Sequence, residues 1–174
     1  MYSSLYILSL TIIRIVNGLS WSPPHTFHHN SINHNNKIWI LGGAQLPKNI
    51  DNLEETNGRI AIGLWKFDIN KNRWTYKPRE FPDRSGATLV SNEDELFLHG
   101  GIKEIQDTFV PTSDMWKYTD ESWEEVYTNN PDIYAHQSVV TKQGHIYSLG
   151  GYDTNGPSSH LYIYDGSEWK QEST

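Results

Sequence analysis

Short apolar runs alternate along this chain with polar, turn-forming stretches, and three of those runs end in Gly-Gly. The first is Lys37-Ile38-Trp39-Ile40-Leu41 before Gly42-Gly43, the second Glu95-Leu96-Phe97-Leu98-His99 before Gly100-Gly101, and the third His145-Ile146-Tyr147-Ser148-Leu149 before Gly150-Gly151. Each pair is followed by an aromatic-x-aromatic stretch: Leu64-Trp65-Lys66-Phe67-Asp68, Met115-Trp116-Lys117-Tyr118 and Leu161-Tyr162-Ile163-Tyr164-Asp165. A lone Trp closes each copy: Trp74, Trp123 and Trp169. The runs are short, β-branched and aromatic, and turn residues interrupt them before helical spacing can develop, so they predict strands.

Four strands, a to d, fit each copy. Strand a is expected at Ser31-Ile32, Ala87 to Val90 and Gln137 to Val140; strand b ends at the glycine pair; strand c carries its aromatic residues on one face; strand d begins at the Trp. Asn33-His34-Asn35-Asn36, Ser91-Asn92-Glu93-Asp94 and Thr141-Lys142-Gln143-Gly144 have the composition of tight a-to-b turns. The glycines, lacking a Cβ, can take positive φ and admit a close neighbour, expected to be the Trp ring of an adjoining unit.

The glycine pairs, the aromatic stretches and the closing Trp residues resemble the kelch family of β-propellers, over about residues 19 to 174. The intervals, 58 residues from Gly42 to Gly100 and 50 from Gly100 to Gly150, lie in the range of a kelch unit. The resemblance implies an all-β chain, a partial propeller of three four-stranded antiparallel blades, with repeats at residues 23–78, 79–128 and 129–174. Members often carry His near the start of strand a; counting back 14 from each first glycine gives His28, Gly86 and His136. Arg84 stands two residues before Gly86, where the other copies have Thr26 and Tyr134.

Closed propellers have about 4 to 8 blades, so three blades imply further blades from a longer chain, a truncated product, or half of a six-bladed homodimer. Residues 19–22 look like one more d strand, since Trp21 precedes Pro23 as Trp74 precedes Pro82. Residues 1–18 read as a signal peptide: the apolar run from Leu5 to Ile13 is too short to span a bilayer, and Val16-Asn17-Gly18 suits cleavage after Gly18. Secretion is the expectation, with a cytoplasmic location as the alternative.

Composition refines this picture. Aromatic residues are 13% of the chain, which suits stacked sheets filled by large rings. A net charge of -7 without a basic patch argues against nucleic-acid binding. With no Cys, the chain cannot form the copper cofactor of Tyr cross-linked to Cys found in kelch-type sugar oxidases. The Glu-x-x-x-Asp-x-x-x-His spacing of iron-assisted specifier proteins is also absent. The His25, His28, His29 and His34 group lacks interleaved carboxylates, and the acidic groups around Glu54 and Trp123 lack the spacing of a calcium loop. No cofactor and no metal are expected.

In an up-and-down blade the b-to-c and d-to-a connections share one face, and here they are the long ones. Long loops on a rigid scaffold carry recognition. The expectation is a non-catalytic module that binds a protein or glycan through Arg59, Lys103, Asp107, Phe109, Asp153 and Asn155 on the loops, and through Arg84, Tyr134 and His136 near the channel mouth. The alternative is a sugar-modifying propeller of the mutarotase or epimerase kind.

Overall fold

The computed structural model describes residues 23, 26–27, 29–45, 63–77, 84–92, 94–106, 108–120 and 122–172. Every regular element among them is a strand. The first blade holds β2 (Asn30–His34), β3 (Lys37–Leu41), β5 (Leu64–Asp68) and β6 (Arg73–Lys77), after a two-residue β1 (Thr26–Phe27) that pairs with β4 (Ala44–Gln45). The second holds β7 (Thr88–Ser91), β8 (Leu96–His99), β11 (Met115–Thr119) and β12 (Ser122–Val126), with a hairpin of β9 (Ile102–Ile105) and β10 (Thr108–Pro111) between its middle strands. The third holds β13 (Gln137–Val140), β14 (Ile146–Leu149), β17 (Leu161–Tyr164) and β18 (Trp169–Glu172), with a short β15 (Tyr152–Asp153) and β16 (Gly156–Pro157). Each blade is a four-stranded antiparallel meander, as the sequence pattern implies.

Alternation along each strand supplies two faces per blade, and the facing sides of successive blades pack on one another. Trp39, Leu41 and Leu64 of the first blade pack against Leu89, Leu96, Leu98 and Tyr118 of the second. Val90, Phe97 and Met115 on the other side of the second blade pack against Ile146, Tyr164 and Trp169 of the third. The middle blade is therefore buried on both faces, which is why β8 reads as a continuous apolar run. Each fully buried side chain of this size contributes roughly 1.5–3 kcal/mol.

Several details differ from the sequence reading. Strand a of the first blade includes Asn33 and His34, because Asn35 and Asn36 alone make the turn, both with positive φ. Trp74 and Trp123 are the second residues of their strands, whereas Trp169 begins its own. The close neighbour of the first glycine is not a Trp ring but a backbone carbonyl of the next blade: that of Arg84 at Gly42, and that of Ile133 at Gly100. The adjoining Gly43 and Gly101 N–H groups donate to those same carbonyls, at 3.2 and 2.8 Å. A seam of backbone hydrogen bonds thus holds each blade to the next.

The register also moves the repeat histidine. Asn30, Thr88 and Gln137 pair with Leu41, His99 and Leu149, so the matching positions one residue earlier are His29, Ala87 and His136. A fixed count of 14 fails because the third a-to-b turn, closed from Thr141 to His145, is one residue longer than the turn from Asn92 to Glu95. By the same register Arg84 corresponds to Ile133, and Tyr134 to Ser85. The leader at 1–18, the d-like residues 19–22, His25, His28, Glu54, Arg59 and Asp107 lie outside the described residues.

Candidate interaction face

Two backbone bridges, Ser85 with Ile102 and Tyr134 with Tyr152, tie each d-to-a segment to the b-to-c loop of its own blade. They place both sets of long connections at one end of the blades. At this end the hairpin of β9 and β10 exposes apolar side chains on both of its faces: Ile105, 53% exposed, stands with the exposed Val110 on one face, and Phe109, 51% exposed, on the other. Apolar side chains held in solvent on a protruding hairpin are the kind of feature that marks an interaction site.

Under the hairpin lies a polar hub. Arg84 sends Nη1 and Nη2 to the two oxygens of Asp114, each at 2.7 Å, and Nη1 also donates to the Gly100 carbonyl at 3.0 Å. Lys103 Nζ, Thr112 Oγ1 and Trp116 Nε1 donate to the same carboxylate at 2.8, 2.6 and 2.9 Å. Burial alone would raise the Asp114 carboxyl, but the bonds and charge of Arg84, with the bonds from Lys103 and Thr112, outweigh it and hold the group well below the usual carboxylate range. Lys103 stays partly exposed, with its ammonium committed to Asp114.

Arg84 and His136, expected at the channel mouth, both have buried side chains. Tyr134 is half-buried and stacks on the exposed Tyr152, ring centres 5.4 Å apart. His136 lies between the second and third blades, its Nε2 bonded to Thr88 Oγ1 at 2.9 Å and its ring 5.3 Å from that of His99. Burial lowers His136 to about 4. His99 is also held well below the usual histidine range, by burial first and then by the charge of His136. Its ring stacks on Trp169, and the Pro131 carbonyl approaches without completing a hydrogen bond.

Asp153 and Asn155 form the tip of the hairpin of β15 and β16, where Asp153 Oδ1 accepts the Asn155 N–H at 2.7 Å. Both line a cleft of about 420 Å³ with Asn129, Asn130, Asp132 and Tyr162. The structure thus gathers Asp153 and Asn155 at one cleft and sets Lys103 and Phe109 on the second-blade hairpin. Among the described residues no group of three or more His, Asp or Glu converges as a metal site would require, and no helix is long and apolar enough to cross a membrane.

Two buried groups escaped the sequence reading. Asp114 has Thr112 and Trp116 close in sequence, but Arg84 and Lys103, which complete its hub, come from 30 and 11 residues away. Lys66 had a signal, a lysine between two aromatic positions of a buried strand; its Nζ donates to Tyr118 OH at 2.7 Å and lies 4.0 Å from the Trp39 ring centre.

Residues 134–174 match the Kelch motif. The chain is similar to Tip elongation aberrant protein 3 of Schizosaccharomyces pombe, at 22% identity over 192 aligned residues covering 90% of this chain and 16% of that protein. It is also similar to Kelch-like protein 41 of Rattus norvegicus, at 28% identity over 59% of this chain and 24% of the relative. The human Kelch-like protein 41 matches at 37% identity over 37% of this chain and 12% of the relative. The chain thus spans a quarter or less of the length of these relatives. The third blade thus carries a Kelch motif, and the glycine pair, aromatic stretch and Trp that mark it recur in the two four-stranded blades before it.

Proposed function

We propose that the chain is a non-catalytic interaction module that binds a protein through its long-loop end. The apolar tip of the β9–β10 hairpin carries this reading: Phe109 and Ile105 stand in solvent on a hairpin whose base is fixed by the Asp114 hub. A rigid base with an exposed aromatic anchor lowers the ordering cost of binding. Tyr134 and Tyr152 extend the surface on the third blade. Arg84 and His136 serve it from below, by holding the loops rather than by touching a partner.

A glycan is the second reading, supported by the amide, carboxylate and Tyr162 groups around the cleft that holds Asp153 and Asn155. The apolar leader supports delivery to the secretory pathway; terminal sequencing after expression in a secretory host tests that, with an intact Met1 on soluble material against it.

The test of the module compares Phe109→Ala/Ile105→Asp with the wild type and with Lys142→Ala at the opposite end. Proteins captured from the native source are quantified by mass spectrometry, and binding to a glycan array runs in parallel. Loss of a captured protein with the hairpin variant alone supports the protein reading. Equal capture by all three moves the site off the hairpin, and array binding lost with Asp153→Ala favours the glycan.

A further inference from the structure

The third blade presents to solvent the face that both preceding blades bury. Register defines the equivalent positions: Trp39, Phe97 and Tyr147 on strand b, and Leu41, His99 and Leu149 one pair closer to the glycines. In the first two blades all four side chains are buried, but Leu149 is 55% exposed. On strand a, Val90 is buried while its counterpart Val139 is 64% exposed. The seam is open here as well. A Cβ on Gly42 or Gly100 would collide with a carbonyl of the next blade, yet one on Gly150 meets nothing nearer than the Ser158 oxygen at 3.8 Å. Gly43 and Gly101 donate across the seam, whereas the equivalent Gly151 N–H has no acceptor among the described residues. An exposed apolar sheet and an unused seam donor at one edge specify a particular visitor: a blade bringing an apolar face together with a backbone carbonyl on its d-to-a segment.

The first blade has that form. Phe27 pairs with Ala44 as Ser85 pairs with Ile102 and Tyr134 with Tyr152, which makes Thr26 the counterpart of Arg84 and Ile133, the residues whose carbonyls close the two formed seams. The face of the first blade turned away from the second carries Ile38, Ile40, Trp65, Phe67 and Trp74, matching Leu96, Leu98, Trp116, Tyr118 and Trp123, which the second blade packs on the first. We infer that the open face of the third blade docks the first blade of a second copy of this chain, so that two copies close head to tail into one ring. Two sets of three blades fall within the range of closed propellers, and the twofold axis along the ring makes both new seams identical. Gly151 N–H then donates to the Thr26 carbonyl of the other copy.

Existing seams also supply a register-specific probe. Thr88 and Ser138 touch across the second seam, their hydroxyls 2.9 Å apart. Their counterparts at the new seam are Gln137 of one copy and Ser31 of the other, both exposed in the single chain. Because the chain has no Cys, a disulfide between Gln137→Cys and Ser31→Cys reports this contact without background. The expected result is a cross-linked dimer on a non-reducing gel when the two variants are mixed under mild oxidant, and none with Gln137→Cys alone. Sedimentation equilibrium of the unmodified chain should give twice the 20.1 kDa chain mass, and Leu149→Glu, with an unchanged circular dichroism spectrum, should give the single mass. A monomeric parent chain, self-cross-linking of Gln137→Cys, or a dimer that survives Leu149→Glu would each overturn the inference. None of these substitutions lies on the β9–β10 hairpin or in the cleft at Asp153, so the outcome is separate from that of the binding test above.

Discussion

Arg84 and Asp114 meet in a two-pronged ion pair, 2.7 Å at each prong, with the guanidinium wholly buried. Such a pair holds two chain segments in one relation, and removing one partner leaves an uncompensated charge inside the protein. Asp114→Ala should therefore destabilise the chain by about 3–5 kcal/mol in urea unfolding. The double variant Arg84→Met/Asp114→Leu should recover most of that loss. A double variant as unstable as the single would mean that Lys103 and Thr112 depend on the carboxylate as much as Arg84 does.

The seam glycines offer an internal comparison. Gly100 and Gly150 have nearly the same backbone, φ 66° and 71°, but only Gly100 faces a neighbouring blade. Both Ala variants should lose about 1–2 kcal/mol from the left-handed backbone. In the Leu149→Glu background, where the third-blade face stays open, Gly100→Ala should lose clearly more, because a methyl group there pushes against the Ile133 carbonyl. Equal midpoints for the two in thermal unfolding would argue that the second seam yields without cost.

Three buried histidines, His34, His99 and His136, are depressed by burial. A depressed His binds fewer protons folded than unfolded, so its contribution is fully present above about pH 6.5 and is lost as pH falls towards the folded value. For His136, lowered to about 4, the loss amounts to roughly 3 kcal/mol across that window. Urea midpoints should fall steadily from pH 7 to pH 4, and His136→Asn should flatten the slope. A profile that stays level down to pH 4 would show that the histidines are already free to ionise. Asp114 acts lower, below about pH 3.8, where its carboxylate begins to take up protons in the unfolded chain.

Lys66 packs its stem between the first two blades and its ammonium over Trp39. Lys66→Met keeps the stem and should cost about 1 kcal/mol, the scale of a cation–π contact. Lys66→Ala opens a cavity at the blade contact and should cost about 2–3 kcal/mol more. Unfolding followed by tryptophan fluorescence measures both, and equal costs would place the whole effect in the charge.

The strands and their grouping were legible in the sequence because each strand is fixed by local alternation and bounded by glycine or turn residues, as at Leu96 to Gly101 and Ile146 to Gly151. Direct evidence of repetition came from three glycine pairs standing in register with three Trp residues. The site was less legible. Arg84 and His136 read as surface residues because a strand-entry position says nothing of what closes over it; the blade seam, with Asp114 thirty residues beyond Arg84 and Thr88 on the preceding blade, decided that both lie inside. Phe109 was singled out as a loop residue, but its place on a hairpin braced by Asp114 follows from pairing Ile102–Ile105 with Thr108–Pro111. Local pattern determines which segments become strands and which face of each is apolar. Contacts between blades join residues far apart in sequence, so only the tertiary structure decides which carbonyl meets a glycine, which histidines lose water, and which apolar face is left for a partner.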